Sequence, residues 1–157
     1  MQPQGQYLQD DKVKTVSANK SSWTKKKLRR NTAYKFYVVA QKKSGGNYSN
    51  MAKSLTGHFF TGKTRGRYTD PKSVKLKKSS ITLTKGKSAT IKASVAKARK
   101  GKKLATSHAP KLRYISNNPS VATVSSKGKV TAKSSGTAVI YVQTINGIWK
   151  TCKVTVR

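Results

Sequence analysis

Cationic side chains are the main chemistry this sequence offers. They gather in three places: Lys25, Lys26 and Lys27 with Arg29 and Arg30; Lys63, Arg65 and Arg67; and Lys97, Arg99, Lys100, Lys102 and Lys103. Ammonium and guanidinium groups at this density bind oxyanions through charge-assisted hydrogen bonds, and salt weakens that attraction. Compensating charge is nearly absent. The chain has 35 Lys and Arg against 3 acids (Asp10, Asp11 and Asp70, with no Glu), for a net charge of +32. Such a chain repels itself and attracts any polyanion: nucleic acid, anionic cell-wall polymer, sulfated or sialylated glycan, or anionic membrane. Charge alone does not choose among them.

The scarcity of carboxylates removes whole classes of activity. Paired Asp or Glu for acid–base catalysis have almost nothing to draw on, and calcium or magnesium cages usually need several carboxylates. His58 and His108 are far apart in sequence and lack a third ligand for zinc. A Ser-His-Asp triad is disfavoured by three Asp placed at or near loops. Cys152 is the sole cysteine, so no internal disulfide forms. It shares a period-two face with Val154 and Val156, which predicts a buried structural thiol. The expectation is a chain with no catalytic residues, no metal and no cofactor.

The elements that must carry the charge read as strands throughout, so the fold class is all-β. Residues 1–11 are polar and Gln-rich and are expected to be disordered. Strand-like segments follow at Lys12–Ala18 and Ser22–Leu28. Tyr34–Ala40 is clearer, with Tyr34, Phe36, Val38 and Ala40 on one face, which is expected to be buried. Ser44–Asn47 is a Gly-rich turn, and Ala52–Phe60 is a further strand. Residues 61–71, Gly-, Thr- and Arg-rich and closing on Pro71, read as a linker.

Beyond it the rhythm is regular. Strands are expected at Ser73–Leu76, Ser80–Leu83, Ala89–Val95, Leu112–Ser116, Val121–Val124, Lys129–Ala132, Thr137–Thr144 and Thr151–Val156, with Lys97–Ser107 as a basic loop. Short strands separated by turn signals describe a sandwich. Asn146-Gly147 is the strongest hairpin signal, since both positions tolerate φ > 0. Trp149, just after it, is expected to pack at the end of the sandwich, with an exposed contact for glycan as the alternative. No stretch approaches the ~20 apolar residues of a membrane span, and residues 1–30 show no signal peptide.

The string Ser116-Asn117-Asn118-Pro119-Ser120-Val121-Ala122-Thr123-Val124, followed by Gly128-Lys129-Val130-Thr131-Ala132 and Gly136-Thr137-Ala138, resembles the bacterial immunoglobulin-like, group 2, family over residues 72–157. Tyr114 stands where that family often has Trp. The resemblance implies an immunoglobulin-like β-sandwich, without catalytic residues, of the kind found in adhesins and large bacterial surface proteins. Leu28-Arg29-Arg30-Asn31-Thr32-Ala33-Tyr34 is similar to the turn into the sixth strand of a fibronectin type III domain, with Tyr34 as the corner tyrosine. That similarity implies that residues 12–60 are a partial fibronectin type III-like domain. Its first three strands, and a signal peptide, would then lie upstream in a longer parent chain.

Together these readings predict a non-catalytic structural and adhesion module of a cell-surface or secreted protein. It would sit beside neighbouring domains of its parent chain, with its basic surface on anionic cell-wall polymer or host anionic polysaccharide. Two alternatives share the same residues. One is a set of accessory domains of a larger secreted enzyme. The other is a nucleic-acid-binding protein, with Trp23, Tyr34 and Tyr37 stacking bases, although no nucleic-acid-binding motif is present. Non-specific attraction to nucleic acid at low salt is expected in any case.

Overall fold

Two adjacent glycines fold the N-terminal strands back on themselves. Gly45 and Gly46 have φ of 56° and 87°, the paired left-handed geometry of a two-residue type I′ turn. They join β2 (Val39–Ser44) to β3 (Asn47–Lys53), while β1 (Ala33–Phe36) pairs antiparallel with β4 (Gly57–Phe60) at the far end of the same hairpin. The computed structural model describes residues 14–20, 22–29, 32–61, 68–104, 106 and 109–157; the segment expected to be disordered, residues 1–11, lies outside them.

The hairpin departs from expectation in four ways. The strand expected over Ala52–Phe60 breaks at residues 54–56, its two ends falling in β3 and β4. The expected strand over Tyr34–Ala40 is interrupted at Tyr37-Val38, where Val38 N donates instead to Ser54 Oγ at 2.9 Å. The described parts of Lys12–Ala18 and Ser22–Leu28 form no strand. Short alternating segments without a partner strand gain too little to hold an extended ladder. The face expected to be buried is also open, with Phe36 at 49% and Val38 at 64% exposure, because no second layer of described residues covers it. What remains is local: Tyr34 stacks on Phe59 with centroids 5.8 Å apart, and Phe36 meets Phe59 edge-on at 5.7 Å.

The remaining strands are β5 (Tyr68–Thr69), β6 (Pro71–Leu76), β7 (Ser80–Leu83), β8 (Ser88–Thr90), β9 (Ala93–Lys97), β10 (Lys103–Leu104), β11 (Leu112–Ser116), β12 (Ala122–Val124), β13 (Lys129–Ala132), β14 (Gly136–Thr144) and β15 (Trp149–Val156). One sheet has the order β11-β14-β15-β7, antiparallel except where β7 runs parallel to β15. The facing layer is β12-β13-β8 together with β6-β9. Tyr68–Thr69 and Pro71, within the expected linker, are strand residues, and β5 pairs in parallel with β10 inside the expected loop.

The single strand expected over Ala89–Val95 is two. Ile91 N donates to Gly128 O, extending β8 along β13, whereas Lys92 O accepts from Lys77 N, extending β9 along β6. The strand changes partners at Ile91, whose buried side chain anchors the break.

Alternation produces the core. Ala138, Ile140, Val142 and Thr144 of β14 are buried, as are Cys152, Val154 and Val156 of β15. They pack against Val74, Ile91, Val121, Ala122, Val130 and Ala132 of the facing layer. Each buried Val or Ile contributes about 1.5–3 kcal/mol. The Cys152 thiol is fully buried, as its period-two neighbours predicted, and burial raises its pKa.

The Asn146-Gly147 hairpin forms with a different turn. Gln143 pairs with Trp149, so the loop is Ile145-Asn146-Gly147, and only Gly147 has positive φ. Gly147 N donates to Thr144 O at 3.1 Å and Thr144 N to Ile148 O at 2.8 Å. This is a type I turn closed by a glycine bulge. Thr144 Oγ1 favours it by accepting from Ile148 N at 3.0 Å and lying 2.7 Å from Asn146 Oδ1.

Candidate polyanion-contact surface

The basic residues are positioned by three different kinds of backbone. Lys25, Lys26 and Lys27 are exposed on an irregular segment, with Lys27 in the left-handed region at φ 58°. Arg29 ends that segment. Its N–H donates to Tyr34 Oη at 3.0 Å, and its carbonyl accepts from Thr61 Oγ1. Arg30, Lys63, Arg65 and Arg67 lie outside the described residues.

Lys97 through Lys103 follow β9 into a loop that closes on itself. Lys97 Nζ donates to Lys102 O at 2.5 Å, Lys102 N to Arg99 O at 3.2 Å, and Ala98 N to Asp70 O at 3.0 Å. Lys97 therefore holds the loop together, while Arg99, Lys100 and Lys103 stay exposed.

The aromatic residues considered for base stacking are disposed differently. Tyr34 is engaged with Phe59 and Arg29, and Lys53 Nζ sits 3.6 Å from the centre of the Tyr37 ring. Trp23 is half-exposed. Trp149 does not cap the sandwich. It is 53% exposed on the outer sheet face, with its ring edge-on to Tyr141 at 5.4 Å. The alternation of β15 places residue 149 on the outward side with Thr151 and Lys153.

The profile of the bacterial Ig-like domain (group 2) family matches residues 71–154, more than half of the chain. The chain belongs to this family. No curated protein matches it. Group 2 Ig-like domains form a non-catalytic family typical of bacterial surface proteins. Among the described residues, no group of three or more His, Cys, Asp or Glu is placed to hold a metal, and no helix is long and apolar enough to cross a membrane.

One contact links a glycine that carried the resemblance to the tyrosine that departs from it. Gly128 has φ of 79°, and a Cβ there would lie 2.8 Å from Cζ of Tyr114. The Ig-like domain thus needs glycine at this turn twice over: for its backbone conformation, and to let the ring lie against it. Burial raises the pKa of the Tyr114 hydroxyl.

Sequence reasoning passed over Arg113 and the Lys77–Lys92 pair. Arg113 Nη1 donates to Thr56 O at 2.6 Å and Nη2 to Thr144 O at 3.0 Å. With His58 N donating to Ile145 O at 2.7 Å, it ties the hairpin to the Ig-like domain. Gln143 lies directly opposite Arg113 in the ladder, and Arg113 Nε and Gln143 Oε1 are buried without hydrogen-bond partners. Burial lowers the pKa of the Arg113 guanidinium. Nothing in the linear sequence marks either feature, because both depend on strand register.

Proposed function

We infer that this chain is a structural and adhesion module of a bacterial surface protein. The Ig-like domain acts as a rigid spacer, and its basic surface holds to anionic cell-wall polymer or host anionic glycan through many weak, salt-sensitive contacts. One observation carries this reading. Against 35 Lys and Arg the chain has 3 acids, of which Asp70 alone lies among the described residues, so the countercharge comes from outside the fold. Multivalent attachment suits such a surface, since several weak contacts on one polymer reinforce each other without any deep pocket.

The bond from Arg29 N to Tyr34 Oη also supports reading residues 12–60 as fibronectin type III-like, because a corner tyrosine bonds back to the backbone a few residues upstream.

Retention on immobilised heparin, teichoic acid and DNA across a salt gradient tests the function. Selective retention of one polysaccharide or wall polymer above physiological salt is expected. Equal retention on all three, vanishing near physiological salt, would reduce the charge to non-specific attraction and remove the adhesive reading.

A further inference from the structure

The open flank of the sandwich brings like charges together, and no acidic side chain among the described residues lines the hollows beside them. Leu76 of β6 lies opposite Ala93 of β9, so the next pair along the ladder is Lys77 and Lys92, with Lys77 N donating to Lys92 O at 2.9 Å. Like charges directly opposed on neighbouring strands are destabilising. A carboxylate beside them would relieve this, but Asp70 does not line the hollows found here. Lys77 and Lys92 line both of two hollows, of about 300 and 410 Å³. The larger also takes in Lys78, Ser80 and Thr82 of β7, and Thr90 of β8.

The edge strand adds backbone donors. Among the described residues β7 is the last strand of its sheet and pairs only on its β15 side. Ser79 O accepts from Lys153 N and Leu83 O from Arg157 N, so the N–H and C=O groups of the odd-numbered residues of this segment face β15. Peptide groups alternate from side to side along a strand. The N–H groups of Ser80 and Thr82 therefore face the free edge, on the side of the hollow that these two residues line. Their carbonyls share that edge, so it offers an anion two separate N–H donors and not a continuous nest.

We propose that this flank is a binding site for a tetrahedral oxyanion, a phosphate or sulfate group. The anion bridges the Lys77 and Lys92 ammonium groups, with Lys78 beside them. The edge N–H groups of Ser80 and Thr82 serve as neutral donors. The site rests on the polyanion reading above and gives it one anchoring point on the Ig-like domain. Phosphodiester polymer and sulfated glycan present the same chemistry, and the experiment separates them.

The test uses the full chain. Backbone amide NMR is followed during titration with inorganic phosphate and then sulfate, for wild type, K77Q/K92Q and the equally neutralised control K127Q/K133Q. The expected result is saturable shifts at residues 77, 80, 82 and 92, retained in the control and weakened on the order of tenfold in K77Q/K92Q. Retention on poly(glycerol phosphate) and on heparin then identifies the source. The polymer that uses the site loses about 2 from its log K against log[salt] slope in K77Q/K92Q. Shifts spread evenly over lysine-bearing surfaces, or equal losses in both variants, overturn the site and leave the polyanion reading standing. Saturable phosphate binding at the flank with neither polymer retained at physiological salt keeps the site and removes that reading. Unchanged anion binding with self-association of K77Q/K92Q also overturns the site, since the lysines would then be guarding an edge strand.

Discussion

The hairpin of residues 33–60 and the Ig-like domain that follows use the same strand-forming residue types, but only the second has an interior. Phe36, Val38, Tyr48 and Met51 sit on paired strands or between them and remain about half exposed or more. Ile140, Val142 and Val154 are fully buried. The difference lies in the number of layers. Alternation makes a strand with two distinct faces, and it makes a core only where another sheet covers one of them. The hairpin has its ladder, one aromatic cluster and the ties from Thr56 and His58 to the domain.

The largest expected effect tests that contrast directly. Ile140→Ala should cost about 2–5 kcal/mol in chemical denaturation, while Phe36→Ala should leave the domain's midpoint within about 0.5 kcal/mol of wild type. A comparable loss at both positions would mean that the hairpin has a packed interior after all. Gly128→Ala comes next, at about 1–3 kcal/mol, because the methyl group must displace the Tyr114 ring at a strained φ. A neutral outcome in the same denaturation series would show that the turn can relax. Arg113→Ala should cost about 1 kcal/mol, felt mainly in the hairpin. Amide exchange at residues 57–60 should speed up while that of Ile140 and Val154 stays slow; uniform acceleration would show that Arg113 supports the domain and not the junction.

The smallest effect concerns pH. Burial raises the pKa of both the Cys152 thiol and the Tyr114 hydroxyl in the folded state. The folded protein then keeps these protons where the unfolded chain loses them. This contribution to stability is fully present below the unfolded values, about 8.5 for Cys and 10 for Tyr, and is lost as pH rises through the higher folded ones. The denaturation midpoint should decline above about pH 8.5, with a shallower initial decline in Cys152→Ala. Equal slopes for variant and wild type would remove the thiol from the account.

The domain was largely legible in the sequence, because its period-two patterns, its turn residues and the family string all point to one sandwich. Ser80–Leu83 and Leu112–Ser116 form as expected. The misreadings arise where a partner strand decides. The pattern of Ala89–Val95 continues unbroken across Ile91, so nothing local reveals that β8 and β9 bond to different strands. Asn146 tolerates positive φ, but the Thr144 hydroxyl stabilises a three-residue loop in which Asn146 does not need it. For the candidate site, runs of adjacent lysines were visible. Lys77 and Lys92 were not, because register alone brings them together.

The parallel pairing of β7 with β15 has a mechanical consequence. Ser80 to Leu83 lie beside Lys153 to Val156 in the same direction. Tension applied ahead of β7 and behind β15 therefore slides one strand past the other, and the hydrogen bonds between them are loaded together instead of peeling one by one. A spacer anchored at one end and gripping a polymer at the other would meet drag across this pair, and its strength in shear would set how hard the molecule can be pulled before it yields.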